Sequence, residues 1–101
     1  MSAKLVVLYG KPDDPDAFDK HYRDVHPPLV EKIPGLERWS TATFVAAADG
    51  GEVAYHRIVE LHFADAEAVT AAFSTDEGKA AAADYQQIAP AGSRMFVAVA
   101  D

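Results

Sequence analysis

The sequence predicts a single α+β domain, and three observations carry that expectation. Short β-branched apolar runs alternate with amphipathic helical stretches in the order β-α-β-β-α-β. The 101 residues suffice for one hydrophobic core and are too few for two. Half of them are hydrophobic and a quarter charged, the balance of an ordinary globular chain.

Leu5-Val6-Val7-Leu8-Tyr9 is apolar on both parities, so it reads as a strand covered on both faces, and Gly10-Lys11-Pro12 ends it. Asp14 suits an N-cap, Pro15 the first helical position and Asp16 the positive end of the dipole, which predicts a helix from Pro15 to about Val25. Phe18, Tyr22, Val25 and Leu29 fall on one stripe at helical spacing. His26 precedes Pro27-Pro28, and a pre-proline residue avoids the α region, so the helix should bend or restart there. Pro34-Gly35 forces a turn. Leu36 to Ala47 and Val53 to Phe63 read as a hairpin around Asp49-Gly50-Gly51. Asp65 should cap a helix carrying Val69, Ala72 and Phe73. Ser74-Thr75-Asp76-Glu77 reads as a capping box that restarts it toward Ile88. Pro90-Ala91-Gly92 closes that helix, and Met95 to Ala100 is the last strand.

This order is the ferredoxin-like split arrangement, a four-stranded antiparallel sheet with both helices on one face. Two helices cannot cover the second face, yet the strands are apolar on both parities: Val6 and Leu8 as well as Leu5, Val7 and Tyr9, and Ile58 as well as Val59, Leu61 and Phe63. A patch of that size is rarely left in water, so a homodimer packed sheet to sheet is expected.

Sixteen acids against nine bases give a net charge of -7, and no Lys/Arg cluster offsets it. Nucleic acid and anionic membranes would be repelled. The lack of cysteine excludes disulfides and thiolate chemistry. Met1-Ser2-Ala3-Lys4 leads straight into a strand, and no apolar run nears the roughly 20 residues of a membrane span, so a cytoplasmic protein is expected.

The chemistry concentrates between Phe18 and Leu36. Tyr22 and His26 are an i,i+4 pair and share a helix face if the helix stays regular, with His26 at the stripe's edge, between a cavity and water. An imidazole exchanges protons near neutrality, and a phenol can hold an oxyanion or donate a proton, so His26 and Tyr22 are the candidate catalytic residues. The structural alternative makes Tyr22 core and lets His26 satisfy a backbone carbonyl freed by the prolines. His21 lies on the stripe's other edge. On the second hairpin strand His56, Ile58, Glu60 and His62 share one face, and the sequence leaves open which face meets the helices. Trp39 and Phe44 take opposite parities of the preceding strand, one toward a pocket and one toward a partner. Phe18, His21, Trp39 and His56 are the candidate ligand contacts. No metal is expected: His21 and His26, five apart, should diverge on a helix, and His56 and His62 stand roughly 20 Å apart along a strand. Dinucleotide, P-loop and nucleophile-elbow motifs are absent.

Phe18-x-x-His21-Tyr22-x-x-x-His26-x-Pro28-Leu29, followed by Ile33-Pro34-Gly35-Leu36, resembles the EthD family, named for ethyl tert-butyl ether degradation. Tyr55 to Asp65 and Ser74 to Gly78 are similar to that family's second half, so the resemblance spans nearly the whole chain. It implies a dimeric α+β barrel, with pockets between each sheet and its own helices. Tyr22 and His26 facing such a cavity make a small, largely apolar organic ligand the expected partner. The barrel group includes methylmuconolactone isomerases, cofactor-free monooxygenases and haem-binding enzymes. The expectation is cofactor-free acid/base chemistry, isomerisation or O2-dependent oxidation, on a carbonyl or phenolic compound, with haem as a secondary alternative. The rival expectation is a non-catalytic carrier or accessory protein of an oxygenase.

Overall fold

The polypeptide opens with β1 (Ala3–Gly10), α1 (Pro15–Asp24) and α2 (His26–Glu31) in a computed structural model that describes all 101 residues. There follow β2 (Arg38–Thr43), β3 (Tyr55–Phe63), α3 (Ala66–Ala72), α4 (Asp76–Ile88) and β4 (Arg94–Val99). The four strands form one antiparallel sheet in the order β2-β3-β1-β4. This is the ferredoxin-like arrangement that the sequence predicts.

Local chemistry sets the helix ends. The Asp14 carboxylate accepts from the Ala17 N–H, and Asp65 does the same for Ala68. The predicted break before the prolines falls at Val25, whose N–H still donates to the His21 carbonyl. The chain then re-enters a helix at His26, so Val25 leaves the apolar stripe and is exposed, while His26 and Val30 turn inward. The restart between α3 and α4 is capped by Thr75 rather than Ser74: Thr75 Oγ1 accepts from the Gly78 N–H and donates to the Ala72 carbonyl. A Cβ on Gly78 would strike the Ala72 carbonyl, so only glycine lets α4 cross the end of α3 this closely.

The hairpin is shorter than its apolar pattern suggests. β2 stops at Thr43 and β3 starts at Tyr55, leaving Asp49-Gly50-Gly51 inside a longer connection. Three alanines and Asp49 across residues 46 to 49 supply neither β-branched bulk nor alternation to extend the ladder.

The core lies between sheet and helices. Ala3, Leu5, Val7 and Tyr9 of β1 and Val59, Leu61 and Phe63 of β3 pack against Phe18, Tyr22, Val30, Val69 and Ala81. Thus the odd-numbered residues of β3 meet the helices, and Ile58, Glu60 and His62 lie on the other face. His56 departs from this alternation. The pairing runs evenly from Ala3 opposite Phe63 to Tyr9 opposite Arg57, then jumps to Gly10 opposite Tyr55. The bulge leaves His56 unpaired against β1 and turns its side chain to the helix side with Arg57.

Candidate active site

A cavity of about 240 Å³ lies between the sheet's helix face and helices α2 and α4. Leu5, Val7, Tyr9, Leu61 and Met95 form its sheet wall, and Val30, Ile33, Phe73, Ala81, Ala82 and Tyr85 the opposite one. His26 is the one lining residue that is not hydrophobic.

His26 is only 6 % exposed, where the sequence suggests a partly solvated edge. Its Nδ1 donates to Asp84 Oδ2 at 2.7 Å, and no backbone carbonyl is involved. The second oxygen, Asp84 Oδ1, accepts from His21 Nε2 at 3.0 Å. Two histidines expected to diverge therefore converge on one carboxylate. The helical break at Val25 falls between them. Burial alone would raise the Asp84 carboxyl, but the hydrogen bonds from His21 and His26, and their charge, outweigh it and hold the group below the ordinary carboxylate range.

The carboxylate fixes the tautomer. A carboxylate only accepts, so the hydrogen sits on Nδ1 and a neutral His26 presents a bare Nε2. That nitrogen makes no hydrogen bond within the chain and is not among the fully sealed polar atoms, so it remains reachable from the cavity. Tyr22 backs the imidazole, with ring centroids 5.2 Å apart and planes 30° from parallel. Its own hydroxyl is sealed from solvent, and burial raises the phenol against the opposing influence of the Thr41 hydroxyl and the Arg57 charge.

The remaining candidates fall outside the cavity. His21 borders a surface depression with Phe18 and Lys11, on the far side of Asp84 from the cavity. Phe18 is core and meets the His56 ring edge-on. Trp39, opposite Leu61, is half-buried against the core. His56 Nε2 and Arg57 Nη2 both donate to Asp19 Oδ1, at 2.8 and 3.0 Å. Arg57 lies 4.5 Å from the Tyr22 ring centre and donates through Nη1 to Thr41. Asp84 and Asp19, which anchor these two clusters, carry no sequence motif. Asp84 does leave one trace: a poor helix former in the run Ala80-Ala81-Ala82-Ala83, three residues from the buried Ala81 and so on the core side.

No group of three or more potential ligands is arranged to hold a metal ion. Haem does not fit the residues present, because a porphyrin exceeds the 240 Å³ cavity that His26 lines. No helix is long and apolar enough to cross a membrane.

The EthD domain profile matches residues 11–89. An uncharacterized 11.0 kDa protein from the thcB-thcC intergenic region of Rhodococcus erythropolis is 34% identical over 93 residues, covering 92% of this chain and 89% of that protein. The crystal structure of an EthD family protein from Bacillus halodurans c-125 superposes with a TM-score of 0.92 at 35% identity, covering 100% of both chains. Two others share the fold alone. A dimeric ferredoxin-like protein of unknown function from Thermobifida fusca has a TM-score of 0.74 at 18% identity, covering 99% of this chain and 92% of that one. SnoaB, a cofactor-independent oxygenase from Streptomyces nogalater, has a TM-score of 0.65 at 13% identity, covering 98% and 92%. On the profile match and the two relatives above 30% identity, the chain belongs to the EthD family.

Proposed function

We propose that this protein is a cofactor-free acid/base catalyst in which His26 takes a proton from a small, largely apolar phenolic or carbonyl compound. The reaction would be an isomerisation or an O2-dependent oxidation. One observation carries the reading: Asp84 holds Nδ1 of a buried imidazole at 2.7 Å, while that ring lines an otherwise apolar cavity and its Nε2 has no partner in the chain. The Asp84 charge stabilises the imidazolium formed when Nε2 accepts the proton, and low polarity around it strengthens that pairing. Tyr22 serves as a positioning residue, keeping the His26 ring in its plane. The fold likeness to a cofactor-independent oxygenase supports an architecture that needs no bound cofactor for such chemistry.

The working unit in this reading is a homodimer. Phe96, on the face without helices, is 45% exposed beside Val6, a patch that a second sheet would cover.

Turnover of enolisable ketones and phenols by wild type and His26→Gln tests the assignment. Loss of turnover with ligand binding retained supports it. Binding without turnover in the wild type returns the carrier reading.

A further inference from the structure

We propose that the cavity is built for an uncharged phenol of about ten non-hydrogen atoms whose O–H donates to Nε2 of His26, given that a cavity of about 150 Å³ admits benzene and this one is larger. This rests on the assignment of His26 as the cavity base and narrows its ligand from phenols and carbonyls to phenols.

The donor requirement follows from the tautomer. With Nδ1 committed to Asp84, Nε2 is an acceptor in the neutral ring, and it lacks a partner in the chain. An O–H satisfies it. A carbonyl or ether oxygen presents a second acceptor and leaves it unpaired, which costs most where water is excluded. Charge is excluded on separate grounds. No Lys or Arg lines the cavity, so a carboxylate or phosphate would lose its hydration without gaining a counter-charge. Its other polar atoms are the Tyr9 and Tyr85 hydroxyls, both raised by burial and so kept neutral. The aromatic preference comes from Tyr9, Tyr85 and Phe73, which offer ring faces and edges to a flat ligand.

The test uses three probes of similar shape, 2-naphthol, 2-methoxynaphthalene and 2-naphthoate, titrated into the full-length protein at about pH 8, where an ordinary imidazole is neutral. Calorimetry reads affinity, and imidazole NMR resonances identify His26 as the contact. The expected result is saturable binding of naphthol with His26 shifted, the ether weaker by at least about tenfold, and no binding of naphthoate. His26→Met, if folded, should abolish the preference for naphthol over the ether. An ether as tight as naphthol with His26 shifted overturns the donor requirement and leaves the base assignment standing. Naphthol binding that leaves His26 unmoved, or no naphthol binding, overturns the proposal. Tighter binding of naphthoate does so as well.

Discussion

At Asp84 one buried carboxylate serves two imidazoles, and that sharing sets the pH behaviour of the folded state. Its pKa is held below the unfolded value of about 3.9, so its stabilisation is fully present above that value and is lost as pH falls through the folded pKa. Asp84→Asn should therefore flatten the acid limb of a stability-versus-pH curve and cost about 1.5–3 kcal/mol near neutrality, read from denaturant midpoints. His26→Asn is also more costly than its sequence position suggests. A solvated edge residue would cost under about 1 kcal/mol, but a buried partner of Asp84 should cost roughly 1–3. Stability alone thus cannot separate a base from a structural histidine, and ligand binding must. The sequence makes His26 visible through its setting among Tyr22, Pro27 and Pro28. Its partner lies 58 residues away on another helix, and no local pattern records such a contact.

The helices and strands were legible where residues with fixed preferences punctuate the chain. Asp14-Pro15 and Asp65 start helices, and Pro27-Pro28 marks the break that the structure places at Val25. What the chain does not announce is the meeting of His21 and His26 at Asp84, or the extra residue in β3, because both depend on pairing with distant segments. Two outcomes test these elements. Gly78→Ala would stabilise an ordinary helix by about 1 kcal/mol, yet here the new methyl group meets the Ala72 carbonyl, so a net loss of about 1–3 kcal/mol is expected in thermal unfolding. Asp19→Ala removes the acceptor shared by His56 and Arg57 and should cost roughly 1–3 kcal/mol. Asp19→Asn, which keeps an oxygen acceptor, should cost less.

At the scale of the molecule, β1 separates two roles by parity. Val7 is buried under the helices, and Val6 points to the face opposite them. In sedimentation, Val6→Glu should give folded monomers at concentrations where the wild type is dimeric, while Val7→Glu should unfold the subunit. A wild type that stays monomeric and folded at micromolar concentration contradicts the homodimer. The apolar character of both parities was readable from the first strand, whereas the asymmetric cover was not. It shows at β4, where Met95, Val97 and Val99, on the helix side of the sheet, are between 44% and 52% exposed.

Met95 belongs to two surfaces at once: it is part of the cavity wall and of an edge strand whose outer side has no neighbour. A chain settling along that outer side would therefore also abut the wall of the cavity that holds His26. Met95→Lys should then register on both, as faster stopped-flow release of a bound probe and as a charge on the open strand that leaves the sheet-to-sheet dimer expected in sedimentation intact.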